Sequence, residues 1–371
     1  MVARVLLIGG YGNFGGYIAR ALAPDRDVRL LIAGRSRSRA EAFVRALDAA
    51  HALEAHALDI DGDLDEAFTR ARPDIVVHTV GPFQRQDHRV ARAAIAAGAH
   101  YLDLADARRF VCTIGELDEA ARARGVLVVG GASSVPCLTA AVVDHHLPGF
   151  ARLDALDYGI SAAQQTNRGL ATTSAVLSYV GKPIAVLRDG ISRTVHGWQD
   201  LHAVRYPELG WRLFGDCDIP DLDLFPARYP TLRRIRFAAG HELKLLHLGT
   251  WGLSWLVRLG AIRSLDRHAG RLLGLAFLFD RFGSGRSGFH MVLSGEGPDG
   301  RPKRVRFFIV ARSGHGPYIP CMPAILLARK LARGDLDRRG AMPCLDLLDL
   351  DEYLGALAGL DITVHREPAH A

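Results

Sequence analysis

The chain has 371 residues, 49% of them hydrophobic and 23% charged, which is material for two or three domains with ordinary cores. Its formal net charge of +6 is spread along the sequence without a basic tail or a nucleic-acid motif, so a nucleic-acid partner is not expected. Cys112, Cys137, Cys217, Cys321 and Cys344 show no metal-ligand spacing and fit a reducing compartment, so a cytoplasmic protein without a metal is expected. No run of about 18 apolar residues occurs; the nearest approach, Leu245 to Ile262, is interrupted by His247 and Arg258.

The apolar run Val5-Leu6-Leu7-Ile8 reads as a buried strand that enters Gly9-Gly10-Tyr11-Gly12-Asn13-Phe14-Gly15-Gly16. A helical pattern (Tyr17, Ile18, Ala21, Leu22) follows at once. This is the strand, glycine turn and helix of a dinucleotide-binding unit. Gly10 permits the turn, Gly12 lets a pyrophosphate approach the backbone, and Gly15 lets the helix pack on the strand. Asp27 to Ala33 reads as the second strand and ends in Gly34-Arg35-Ser36-Arg37. A carboxylate at this place would bond both ribose hydroxyls of NAD, whereas a guanidinium forks onto the 2′-phosphate of NADP. Arg35, with Ser36 and Arg37, therefore points to NADP(H); a solvated basic start to the next helix is the competing account.

Alternation continues with a helix over 38–50, a strand at 54–57 ending in Asp59-Ile60-Asp61, and a helix over 64–71. The continuous run Asp74 to His78 predicts a buried parallel strand, followed by a helix over 86–97 and a strand at 100–103. A helix over 116–124 and a strand at 126–129 then close the sheet. Such alternation predicts a doubly wound parallel sheet, a Rossmann-type α/β fold. From Ser134 the texture changes. A strand near 156–160 and a helix near 170–179 precede several short strands. Ser287–Gly295 and Arg304–Val310 are joined by the hairpin signal Pro298-Asp299-Gly300-Arg301, which predicts an α+β domain on a mixed or antiparallel sheet. Residues 245–279 are helix-rich and apolar, and helices return at 324–332 and 351–357.

With these motifs in place, the chain resembles the saccharopine dehydrogenase-like family, in the branch containing saccharopine reductase and a bacterial subgroup. Ile8–Gly16 matches the family's glycine turn and Ala33-Gly34-Arg35 its second-strand ending. His78-Thr79-Val80-Gly81-Pro82-Phe83 is similar to the stretch beside the nicotinamide. Ala97 to Asp103 is similar to the segment that follows, and Gly131 to Pro136 lies at the entry to the second domain. The specific likeness covers about the first 140 residues, with further likeness at 317–334 and 340–345. The chain departs from the saccharopine reductases in having Ser133-Ser134-Val135-Pro136 in place of an Asp-Pro-Gly element, which argues against saccharopine as the substrate.

The resemblance implies an NADP-binding Rossmann domain at 1–133, an inserted α+β substrate and dimerisation domain at 134–315, and closing helices at 316–371 that return to the first domain. It implies an NADP-dependent oxidoreductase passing hydride to or from a C=N or C=O carbon of a small metabolite in a cleft between the domains. The expected cofactor-binding set is Gly10, Tyr11, Gly12, Asn13, Phe14, Gly15, Arg35, Ser36, Arg37, Asp59, Val80, Gly81, Pro82, Phe83 and Ser133.

A proton donor is less legible. Tyr101, Ser134 and His315 are candidates, each with a core or capping role as its competitor. Asp106 and the polar run with Gln164 and Arg168 are candidate substrate contacts; for Arg168 a solvated residue beside a helix cap is the competing and favoured account. Trp251 and Trp255, four apart in the apolar segment 245–257, fit a core or homodimer interface, a pocket for a long apolar substrate, or a peripheral membrane contact. Two other functions stay open: reduction of a lipid-like enoyl or keto substrate, and a non-catalytic NADP-binding protein acting through a membrane or protein contact.

Overall fold

A computed structural model describes residues 2–369. The chain divides into two compact units, Met1–Ala140 with Pro317–Ala356, and Ala141–Gly316 with Leu357–Ala371. In the first, the continuous apolar runs form parallel strands: β1 (Ala3–Ile8), β2 (Val28–Gly34), β3 (Glu54–Ala57), β4 (Ile75–His78), β5 (His100–Asp103) and β6 (Leu127–Gly130). Val5 to Ile8 and Leu30 to Ala33 are fully buried, as strands covered by helices on both faces must be. From β3 the order runs β3-β2-β1-β4-β5-β6, all parallel, so strands are added on one side of β1 up to β3 and on the other side from β4. That switch of side opens a crevice at the carboxyl ends of β1 and β4, the usual ligand position of such sheets.

The sheet does not end at the sixth strand, as the sequence suggested. Gly340–Pro343 pairs parallel to β6, with Gly340 opposite Leu127 and Pro343 opposite Gly130, as a seventh strand. Gly-Ala-Met-Pro carries no β-branched alternation, so only pairing with a distant segment reveals it. Three helices are shorter than their periodicity indicated. The helix expected over 38–50 spans Arg37–Arg45: Ser36 caps its start, the Ala46 and Leu47 amides tighten its last turn onto the Phe43 and Val44 carbonyls, and beyond it the Ala50 amide pairs with the Ala23 carbonyl. The helix expected over 86–97 spans Arg89–Ala96 after a short turn at Phe83–Arg85, and the one expected over 116–124 spans Asp118–Ala123.

The second unit is built on β7 (Arg152–Ala162), β8 (Pro183–Arg188), β9 (Ile191–His196), β10 (His202–Tyr206), β11 (Gly210–Asp216), β12 (Arg234–His241), β13 (Ser287–Glu296) and β14 (Pro302–Ala311). With β15 the strand Gly340–Pro343 of the first unit, the last is β16 (Ile362–Ala369). The sheet order is β10-β11-β12-β7-β13-β14-β16, and β12 runs parallel to β7 while its other pairs are antiparallel. The mixed sheet and the β13–β14 hairpin agree with the sequence reading. Strands β8 and β9 form a separate hairpin.

The unit boundaries differ from the expected 1–133, 134–315 and 316–371. The first passes at Ala140, since Ser134–Leu138 belongs to the nucleotide unit. The closing segment does not return whole: residues 357 onward leave the first unit, and β16 covers the edge of β14. β16 pairs with the backbone groups that the β14 edge would otherwise leave open.

Candidate functional site

Gly9 carries the chain out of β1 at φ +83°, and the Gly9 and Gly10 amides both donate to the Ala33 carbonyl of β2, at 2.8 and 3.2 Å. The Gly12 amide closes the turn on the Gly9 carbonyl at 2.8 Å. A Cβ at Gly12 would stand 2.9 Å from that oxygen, and one at Gly15 would collide with it. The glycines therefore hold the helix Asn13–Leu22 against the strand end. Gly12 sits at the helix start without a side-chain cap, so the first amides face the crevice unpaired within the helix. Beside them Asn13 Oδ1 is buried with no partner. Open amides and a positive helix end make a cradle that suits a pyrophosphate, and the Asn13 side-chain carbonyl oxygen can accept only from a donor such as a ribose hydroxyl.

At the end of β2, Tyr11 lies across Gly34, where a Cβ would come within 2.6 Å of its ring. Its hydroxyl accepts the Ser36 amide at 2.9 Å, and the Arg39 guanidinium stands 4.9 Å from its ring centroid. Arg35 is exposed and has no ion-pair partner among the described residues. Arg37 pairs with Glu41 at 3.0 Å, and Ser36 spends its hydroxyl on the helix cap. Asp59 is exposed beyond β3, where its carboxylate accepts the Asp61 amide. Of the residues predicted for the adenosine end, Arg35 is the free cation.

At the end of β4 the Thr79 hydroxyl donates to the Ile8 carbonyl at 2.9 Å, tying the two strand ends together. Val80, Gly81 and Pro82 are partly exposed and Phe83 is buried, its ring 5.0 Å from His78 and 5.2 Å from Phe110. The Gln86 side-chain amide donates to the Val80 carbonyl at 2.7 Å and holds this loop from behind.

Under that loop lies a buried polar group that the sequence reading did not assemble. His78 of β4 is opposite Asp103 of β5, and Tyr101 shares the Asp103 face by the two-residue strand period. The Tyr101 hydroxyl is 3.0 Å from His78 Nδ1, and Asp103 accepts the Ala105 and Gly131 amides at 2.9 and 2.8 Å. Burial lowers the His78 pKa to about 3, a nearby Val80 carbonyl offsetting it in part, so the ring is neutral. Burial raises Asp103 to about 6, opposed by the Gly131 and Ala105 amides and the Tyr101 hydroxyl. Tyr101 is pushed well above its ordinary value, first by burial and then by Asp103, and keeps its proton. The group thus braces three strand-end loops. Tyr101 is fully buried and belongs to this brace rather than to an exposed acid. The period-two spacing of Tyr101 and Asp103, set beside His78, was the available signal.

The other sequence candidates fall as follows. Ser133 and Ser134 are buried at the turn after β6. Asp106 accepts the Gln84 side-chain amide at 3.2 Å. In the second unit Gln164 is buried and donates to the Ala276 carbonyl and to Asp280, while Arg168 pairs with Asp280 and stacks on Phe277. Both are used internally, because the loop after β7 needs partners for its buried polar ends. His315 Nδ1 accepts the Asp361 amide at 2.8 Å and fastens the chain ahead of β16. Trp251 and Trp255 lie on the helix Lys244–Arg258 with ring centroids 6.3 Å apart. Trp255 is exposed. Among the described residues no group of His, Cys, Asp and Glu could hold a metal, and no helix is long and apolar enough to cross a membrane.

Residues 5–129 match the family model of the saccharopine dehydrogenase NADP binding domain. The resemblance seen in the motifs is borne out over this part of the chain, and the cofactor of the matched domain is NADP. In fold, the chain is similar to apo histidine-tagged saccharopine dehydrogenase (L-Glu forming) from Saccharomyces cerevisiae, with TM-score 0.68 and 14% identity, covering 98% of this chain and 100% of that one. Fainter likenesses are to a meso-dapdh mutant with DAP from Clostridium tetani E88 (TM-score 0.47, 13% identity, 95% and 96% covered) and to biliverdin reductase from Synechocystis sp. PCC 6803 (0.44, 12%, 96% and 96%). No curated protein matches the sequence. The fold is thus similar to that of a solved saccharopine dehydrogenase, and residues 5–129 form an NADP-binding domain.

Proposed function

We propose that the protein is an NADP-dependent oxidoreductase that passes hydride to or from a C=N or C=O carbon of a small metabolite. The observation that carries the cofactor preference is Arg35, exposed and unpaired at the end of β2 beside the glycine cradle. Gly10, Gly12 and Gly15 with the open amides of the helix Asn13–Leu22 would hold the pyrophosphate, Arg35 the 2′-phosphate, and Val80 to Phe83 the nicotinamide side. When bound, NADP(H) supplies the hydride chemistry. The chain supplies orientation: Thr79 and Gln86 fix the loop from behind, and the His78–Tyr101–Asp103 group keeps the neighbouring strand ends in place.

Calorimetric titration with NADPH and NADH tests this. The parent protein is expected to bind NADPH at least about tenfold more tightly. Arg35→Asp is expected to weaken NADPH binding far more than NADH binding, and Gly12→Val to abolish both. Equal loss for the two nucleotides in Arg35→Asp would remove the NADP assignment. A second reading, reduction of an enoyl or keto carbon on a lipid-like substrate, is favoured by the apolar outer face of the helix Lys244–Arg258. NADPH oxidation measured with short and long acyl substrates separates the two.

A further inference from the structure

The segment from Lys244 to Arg286 is turned inside out. Nine of the fourteen large hydrophobic side chains exposed among the described residues lie in it. On the helix Lys244–Arg258 the buried side carries His247, Ser254 and Val257. At 100° per residue the opposite side carries Leu245, Leu248, Trp255, Leu256 and Leu259, between 37% and 75% exposed, in one stripe without a charge. Gly249 and Gly252 lie within the stripe, and nothing stands within 4 Å of a Cβ at either. The helix Ala269–Phe277 and its continuation add Leu275, Phe277, Leu278 and Phe282, each exposed. Both helices pack on one small core containing Val257, Leu265 and Ala269, so their outer faces border the same cluster.

The charge around this surface is one-sided. Between 244 and 286 seven basic residues, Lys244 and six arginines, stand against Asp266 and Asp280, leaving five of the chain's six net positive charges there. The Arg258 and Arg281 guanidinium groups lie 5.0 and 4.6 Å from the ring centroids of Trp255 and Phe282, stems along apolar surface and heads beside it. We infer that this face docks on an anionic lipid bilayer, with the helix Lys244–Arg258 lying in the interface plane. An exposed apolar stripe flanked by arginines is what such binding requires. A second copy across a two-fold axis would set two cationic surfaces against each other, whereas acidic headgroups neutralise them.

The test uses the full chain with vesicles of phosphatidylcholine alone and with vesicles in which phosphatidylglycerol replaces part of it. Co-sedimentation and tryptophan emission are read, with sedimentation velocity for the oligomeric state. Binding to the anionic vesicles is expected, with a blue-shifted emission, and at least about tenfold weaker binding to neutral vesicles or in high salt. Leu256→Glu with Leu259→Glu should weaken binding at least about tenfold, and Arg263→Gln with Arg267→Gln should erase the preference for anionic lipid. Unchanged thermal melting shows that these surface variants remain folded. Failure of the parent to bind anionic vesicles, or binding indifferent to the leucine changes, overturns the inference. So does a dimer that the leucine changes dissolve and that ignores vesicles, which would give the face to a second copy.

Discussion

A single residue's role here depends on what its side chain has already been spent on. Arg35 and Arg37 look equivalent in the sequence, yet Arg37 is paired with Glu41 and Arg35 is free. Tyr101 has the chemistry of a proton donor, but it is buried against His78 and raised in pKa, so it acts as a strut. Tyr101→Phe removes the partner of a buried imidazole nitrogen, and a loss of about 1–2 kcal/mol of stability is expected. NADPH affinity should stay within about threefold, since the ring remains and the cradle is untouched. Denaturant unfolding and calorimetry check both; a large loss of affinity at unchanged stability would return Tyr101 to the ligand. The glycine turn, Arg35 and the Val80–Phe83 loop could be picked out as candidates from sequence because each is a local motif at a strand end. Gln164 and Arg168 were not, because their partners Ala276 and Asp280 lie far along the chain.

Elements obey the same division between local and distant causes. The helices Leu64–Ala71 and Leu170–Tyr179 have the bounds that periodicity indicates. The helix Arg37–Arg45 ends before the expected 50 in a tightened last turn, and the residues after it pair with a distant segment through the Ala50 amide and the Ala23 carbonyl. Two helical glycines make the contrast measurable. Gly15→Ala drives a methyl group into the Gly9 carbonyl, so the helix must shift, and a loss of at least about 2 kcal/mol is expected together with weakened NADPH binding. Gly249→Ala adds a methyl group in open space on a helix, and a gain of about 0.5–1 kcal/mol is expected. Thermal unfolding of both variants decides it, and loss of stability in Gly249→Ala would mean that the stripe is covered.

Across the molecule, buried histidines set the response to acid. Burial is the leading cause that lowers His78, His241 and His290 to about 3, and His100, His146 and His247 to about 4, from an ordinary 6.5. These rings stay neutral when folded and take protons on unfolding below pH 6.5. Their contribution is therefore present above that value and lost as the pH falls toward 4. Asp103, raised to about 6, and Asp216, raised to about 7 by burial and by Asp200, act in the opposite sense. They hold a proton that the unfolded chain releases, and cost stability as the pH rises through 3.8 to about 6–7. Six groups against two give a net fall, so the melting temperature should drop steadily between pH 6.5 and 4 in matched ionic strength. A flat or rising profile over that range would contradict the burial of these imidazoles.

The sequence by itself determined the nucleotide unit: apolar runs that must be buried, a turn only glycines can make, and a basic residue where a carboxylate would repel phosphate. These depend on neighbours a few residues apart. The tertiary structure alone decided that Gly340–Pro343 extends the first sheet, that β16 joins the second, and that His78, Tyr101 and Asp103 form one brace. It alone showed which side of the helix Lys244–Arg258 faces water, because a stripe of leucines reads the same in a sequence whether it is buried or bare. Pairing across long separations depends on which edges and faces remain uncovered, and that is a property of the folded chain.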